Sequence, residues 1–388
     1  MISEKRARWF LAALISVSTL GFTYLAYRKF ACFRWETEDA AQFGYAFFQT
    51  LHGRFFPFYG REESLLGGHA DFVQFLWYPF FRLAPSMVSL FFFQSLMISV
   101  AAWPAYLLAR FHGCDRLTAL IAAAGLLVFP AVVGQHVNQI HEDQYALVFL
   151  LFAFYFFEKQ EFAIFGVFLV LVTLTKETFC LNTMMFGVYA LLRRRRWPWV
   201  AAPVLWSAVY LFVMLRWALP AWGMGSKLQV GEMLYFSQYG HTPGEVLRYF
   251  ASHPLGTLKI MVAGDRLKYL GLLLAPLLGV LAFGSWAWVP AVPSLLINLV
   301  GSNELLRHFY WHYSLIPGAI LWTSFLISLP AWSAILQRRF GNRNYARIFC
   351  SIALALGISL SGLWLVPGQY VSDSACQSRR QADRKSVV

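Results

Sequence analysis

Apolar runs of about 15 to 23 residues recur along this 388-residue chain, and its ionisable residues gather in the gaps between them. A helix needs ~20 apolar residues to cross hydrocarbon, so runs of this length fold against lipid rather than around a soluble core. Composition points the same way, with 59% hydrophobic and 13% charged residues and a mean hydropathy of +0.53. In lipid every backbone polar group must be satisfied within its own segment, and the apolar runs therefore predict an all-α polytopic membrane protein.

About eleven spans are predicted, at roughly 9–27, 86–109, 117–134, 144–157, 162–175, 178–192, 198–218, 267–283, 286–300, 310–330 and 346–366. Lys and Arg in short loops stay on the cytoplasmic side. With this count Lys5, Arg6 and Arg8, then Arg110 and Arg116, Arg193 to Arg196, and finally Arg338, Arg339, Arg343 and Arg347 all fall on one side. That side is read as cytoplasmic, which puts the N-terminus inside and the C-terminus outside. The excess of 32 basic over 19 acidic residues is then topology signal and calls for no nucleic-acid partner. No small-residue cleavage site precedes Arg28, so the first apolar run reads as an uncleaved anchor. The five cysteines show no metal spacing; Cys32 and Cys376 both fall outside and could pair, though free thiols are the favoured reading.

A single transmembrane domain over 1–366 is expected, with long outer loops at about 28–85 and 219–266 and a polar, disordered outer tail at 367–388. In the first loop, Glu38 to His52 has helical spacing with Phe43, Ala46, Phe47 and Leu51 apolar, which suits an interfacial helix. Phe72 to Leu83 is too short to span and reads as re-entrant or interfacial. In the second loop, Thr242, Pro243 and Glu245 spell a helix start, and Ser252-His253-Pro254 a restart through Val262. Spans four to six are short, so their outer ends should lie below the membrane surface and form a recessed polar pocket.

The acidic and histidine residues collect at those outer ends. Glu38 and Asp39 head the interfacial helix, where they either complement its dipole or supply a general base for an incoming hydroxyl. His69 and Asp71 would share a face of an extended segment, either bracing the loop or binding a polar head group or metal. His141, Glu142 and Asp143 place three ionisable groups at the mouth of one short span, more than loop solvation accounts for. Lys176 and Glu177 are either a self-neutralising pair or a phosphate-binding lysine with its positioning carboxylate. The last outer loop adds Glu304 with Arg307 and His308 as phosphate ligands, and His308 and His312 at a four-residue spacing that is a weak metal signal. Metal identity stays unknown and a divalent cation stays open. There is no phosphate-binding GxxxxGK[ST] loop and no strand-bound GxGxxG, so a transferase of this kind would take a lipid-linked donor.

Several patterns resemble the bacterial membrane proteins grouped as domain of unknown function 2079. They are the acidic pair with its aromatic helix ending in His52-Gly53, then Gly68-His69-Ala70-Asp71-Phe72, Tyr78-Pro79-Phe80-Phe81, Gln94 and Trp103-Pro104-Ala105-Tyr106. Ile140-His141-Glu142-Asp143, Thr175-Lys176-Glu177, Arg248 to Pro254, Tyr269 to Pro276 and His308-Phe309-Tyr310-Trp311-His312-Tyr313 continue the series over about residues 36–330. That family resembles the C-type glycosyltransferases, which use polyprenyl-phosphate sugars. The resemblance implies Asp39, or Glu38, as the catalytic carboxylate, with His69, His141, Lys176 and Glu177 lining the same cavity. The expected function is inverting sugar transfer at the outer face of a bacterial cytoplasmic membrane, with membrane lipid and a lipid-linked sugar as partners. The rival readings are a transporter or lipid-handling protein without chemistry, and an inactive scaffold of envelope assembly.

Overall fold

The computed structural model describes residues 2–32, 37–60, 63–137, 140–222, 235–341 and 343–364. Among these residues the fold is all helical, with one isolated bridge between Pro57 and Ser64 and no strand. The proposed outer tail lies outside the described residues.

The helices follow the apolar runs. They are α1 (Glu4–Ala31), the interfacial α2 (Thr37–Leu51) and α3 (Tyr78–Leu83), then α4 (Met87–Val100), α5 (Ala102–Phe111), α6 (Arg116–Leu127), α7 (Pro130–Val137), α8 (Asp143–Lys159), α9 (Phe162–Thr173) and α10 (Cys180–Leu192). After α11 (Trp197–Val213), which runs through a π-helical turn to Ala221, come α12 (Pro243–Ser252), α13 (Pro254–Met261), α14 (Gly264–Leu274), α15 (Val292–Val300), α16 (Leu315–Phe340) and α17 (Tyr345–Trp364). Among the described residues five helices are long and apolar enough to cross a membrane: Glu4–Ala31, Met87–Phe111, Trp197–Ala221, His312–Phe340 and Tyr345–Gly362. Counting α6 with α7 as one span makes six, although the two meet at 57°, because Pro130 cannot continue the hydrogen-bond ladder of α6.

The run expected at 267–283 is not one helix. Its chain breaks after Leu277, where Leu278 and Gly279 take φ of 53° and 62°. Beyond the break, Ser324 Oγ donates to Ala282 O at 2.6 Å and Trp332 Nε1 to Leu281 O at 3.3 Å, so the 281–285 turn lies against the middle of α16. α16 runs eight residues past Trp332, about 12 Å at 1.5 Å per residue, so this pair of segments reaches less deep than its neighbour.

Two helices form the axis of the bundle. α8 is buried without interruption from Asp143 to Leu151, and α16 from Leu315 to Leu329. A helix apolar on all sides belongs inside a bundle. α1 and α11 are the opposite case, exposing Trp9, Phe10, Val17 and Leu20, and Leu205, Val209 and Phe212, as lipid-facing helices do. At one end of the bundle the basic loops meet: Arg116 Nε lies 2.8 Å from Glu4, Arg347 3.0 Å from Asp115, and Arg193 3.3 Å from Glu158.

The outer elements also match the local sequence. Thr242 Oγ1 accepts from Glu245 N, and Glu245 Oε2 accepts from His241 N at 2.7 Å, which fixes the start of α12. α2 packs Phe43, Ala46 and Phe47 against Phe81, Phe91 and Ile140.

Helix association in lipid rests on close packing, which small residues permit. A Cβ added at Gly134 would overlap the Phe309 carbonyl oxygen, whereas one at Gly166 on α9 meets nothing within 4 Å. Gly134→Ala is expected to cost about 1–3 kcal/mol, the usual range for overpacking, while Gly166→Ala stays within about 1 kcal/mol of the parent. Thermal unfolding of the two variants in detergent, followed by tryptophan fluorescence, checks the contrast.

Candidate functional site

The end of the bundle opposite the basic loops gathers ionisable groups from three stretches of chain. Asp143 opens α8, with His141 and Glu142 in the connector just before it. Lys176 and Glu177 occupy the short break between α9 and α10, and His69 and Asp71 lie in the loop after α2.

Their bonds form one network. Glu177 turns to the loop, with Oε1 2.9 Å from His69 Nδ1 and Oε2 accepting from Ala70 N at 2.9 Å. Lys176 is held in extended backbone and points to the other side, with Nζ 2.9 Å from Glu142 Oε1 and 3.5 Å from Asp143 Oδ2. The adjacent lysine and glutamate therefore direct these bonds apart and clamp two different segments. His141 Nδ1 completes the network at 3.0 Å from Glu142 Oε2 and 2.6 Å from Asp143 Oδ2.

Charge compensation governs protonation here. Burial opposes an imidazolium at His141, but Glu142 and Asp143 outweigh it and push the group up to about 10. At His69, burial and Lys176 oppose the charged form, yet Glu177 wins and the group sits above its ordinary value. Glu142 also feels the penalty of burial, but His141 and Lys176 hold it well below the carboxylate range. Asp71 goes the other way. Burial, reinforced by the charge on Glu142, raises it far above its usual value, and neither of its oxygens has a hydrogen-bond partner. His69 and Asp71, expected to share a face, thus differ: one is paired with Glu177, and burial shifts the other upward.

His312 enters the network from the turn before α16. Its ring stacks on His141 with centroids 3.6 Å apart and planes within 20°. The ligand atoms of His141, Asp143 and His312 all lie within 4.8 Å of one another, a set that could hold a metal ion. The sequence weighed His312 only with His308, and the structure parts them, since His308 is exposed while His312 is buried. The signal that would have found it is its place at the head of an apolar run on the same face as the other groups.

A cavity of about 200 Å³ opens beside the network, lined by Asp143, Lys176 and His312 at its polar end and by Phe179, Leu181, Ile297 and Ile316 along its apolar walls. Asn182, Asn298, Tyr235 and Tyr313 also face it, none of them singled out by the sequence. A second cavity of about 270 Å³ is lined by Asp265, Lys268, Glu304, Arg307 and His308. Arg307 is committed there to structure: Nε binds Asp265 Oδ2 at 2.7 Å, and its other donors reach the Asn298 and Gly301 carbonyls at 3.0 and 2.9 Å. Asp39 stands half-buried in the first turn of α2, one turn before Phe43, which packs in the cluster containing Ile140. The Glu38 side chain lies outside the described residues.

The fold and this buried ionic end define a multi-pass helical membrane protein with a polar site at one end of its bundle. The chain belongs to the predicted membrane protein family DUF2079, whose family model matches residues 38–381. No curated protein matches it.

Removing one member of a buried ion pair strands the other charge at a cost of about 3–5 kcal/mol. Lys176→Met is therefore expected to lower thermal stability sharply, and adding Glu142→Gln to restore much of it. Unfolding temperatures of the two single variants and the double variant in detergent provide the check.

Proposed function

We propose that this protein is an integral-membrane glycosyltransferase that moves a sugar from a polyprenyl-phosphate donor to an acceptor at the outer face of a bacterial cytoplasmic membrane. The observation that carries this reading is the cavity between α10, α15 and α16, whose lining combines the ionic groups Asp143 and Lys176 with polar side chains and with apolar ones such as Phe179, Leu181, Ile297 and Ile316. At about 200 Å³ it is below the roughly 300–1,000 Å³ of sites for drug-sized ligands, and suits a sugar or phosphate head more than a whole lipid. Leu181 at its rim is exposed on α10, a way in for an apolar tail.

In the proposed reaction the acceptor oxygen attacks the anomeric carbon and the bond from that carbon to the phosphate oxygen breaks. Its electron pair leaves with the polyprenyl phosphate, and the acceptor proton passes to Asp39 or Glu38. Lys176 stabilises charge developing on the leaving phosphate, with Asn182 and the Tyr235 and Tyr313 hydroxyls contacting the sugar. His69 and Glu177 position the loop that follows α2. Arg307 stands apart from this scheme: it lines the second cavity, where Nε binds Asp265 and Nη1 two carbonyls.

The orientation proposed is the one the basic loops favour, with the N-terminus in the cytoplasm and about eleven segments entering the membrane. Cys32, just after α1, is disulfide-bonded, against the expectation of free thiols, and a disulfide at this end of α1 fits an oxidising compartment there.

Purified protein in lipid, incubated with a panel of radiolabelled polyprenyl-phosphate sugars, is expected to release or transfer label. A folded Glu38→Gln, Asp39→Asn double variant should fall by about 100-fold or more, the lower end of what a general base contributes. Transfer at the parent rate in that variant overturns the carboxylate role. Donor binding without turnover across the panel favours lipid handling without catalysis instead.

A further inference from the structure

We infer that His141, Asp143 and His312 form a site for one divalent transition-metal ion, with zinc the best match to the ligand set. Two imidazoles and a carboxylate are ligands for zinc and for non-haem iron, cobalt or manganese, and they are a poor set for calcium or magnesium. The ligands come from two distant stretches of chain, His141 and Asp143 at the mouth of α8 and His312 before α16, and their ligand atoms lie within 4.8 Å of one another. Ligand atoms around a tetrahedral zinc, each ~2 Å from the ion, stand about 3.3 Å apart, so side-chain rotation that draws the three atoms together closes the site. The stacking of His141 on His312, with centroids 3.6 Å apart, sets two imidazoles side by side without bringing either a carboxylate of its own from the α16 side.

The surroundings suit a cation. Asp143 is 3% exposed and His312 8%, so an ion there would be shielded from water. Glu142 Oε2 lies 3.0 Å from His141 Nδ1, close enough to orient that ring, as carboxylates beside metal-bound histidines commonly do. Lys176 lies 3.5 Å from Asp143 with its charge offset by Glu142 at 2.9 Å, and metal binding would displace the proton that His141 shares with Glu142 and Asp143. Asp143 and His312 also line the 200 Å³ cavity, so three protein ligands would leave a coordination position facing it. That is the arrangement of metal sites that take a substrate oxygen, in contrast to closed structural ones. The chemical class expected at that position is an oxygen anion such as a phosphate ester.

The test uses tag-free, full-length protein in detergent, stripped with chelator and then titrated with Zn²⁺ by calorimetry and with Co²⁺ by absorption. One equivalent per chain is expected, with cobalt showing the intense ligand-field bands of four- or five-coordinate nitrogen and oxygen ligation. His312→Ala and Asp143→Asn should each weaken binding by about 100-fold or more, and His308→Ala, on the exposed histidine outside the set, should leave it unchanged. If the substituted proteins do not fold, the parent still decides the matter. No uptake, or cobalt bands of weak octahedral type, overturns the site, as does binding that survives in folded His312→Ala. The readout is bound metal, so a failure here is distinct from a failure of sugar transfer.

Discussion

Charges taken out of water at the head of a lipid-facing bundle must find partners, and the arrangement of this protein's site end follows from that requirement. Lys176 sits among Glu142 and Asp143, His141 bridges the same two carboxylates, and Glu177 is answered by His69 and a backbone amide. Lys176 ties the α9–α10 break to the mouth of α8, and Glu177 ties the loop after α2 to that break. Because α8 and α16 are buried along most of their length, their outer ends are fixed in the bundle, and the loops carrying His69 and His312 are held to them.

Asp71 is the exception to this pairing. It lies close enough to feel Glu142, no ion pair reaches its carboxyl, and burial shifts it upward against the pull of Gln74. A network built only for stability would gain from an apolar residue at this position, since a buried polar group without a partner costs free energy. The same region holds Gln74 Nε2 and Trp77 Nε1 without partners, so unspent hydrogen-bonding capacity collects beside the ionic network.

Much of the helical framework could be read from the chain itself, because it depends on local spacing. Apolar periodicity placed α2, the Thr242 cap placed α12, and the basic loops identified one end of the bundle, where Glu4 meets Arg116 and Asp115 meets Arg347. The segment over 267–283 was misjudged as one helix because Leu278 and Gly279 carry no strong breaker signal in an apolar run; only their left-handed backbone, set by packing against α16, divides it. Candidate residues were found in the same way, by asking which charges fall on one side of the spans. That reasoning reached His69, His141, Glu142, Asp143, Lys176 and Glu177, but treated His312 as a companion of His308 and gave Arg307 a ligand's role that its bonds to Asp265, Asn298 and Gly301 occupy.

The sequence by itself determined that the chain is helical and lipid-facing and which residues gather at the end away from the basic loops, since helix formation and membrane partition depend on runs of neighbouring residues. The tertiary structure decided who bonds to whom. Lys176 and Asp143 are 33 residues apart and His69 and Glu177 are 108, and neither pairing can be read from local spacing. Directional bonds between distant segments depend on how the helices pack, and packing is settled by the whole bundle: that is why Lys176 and Glu177, adjacent in the chain, end in different parts of the site.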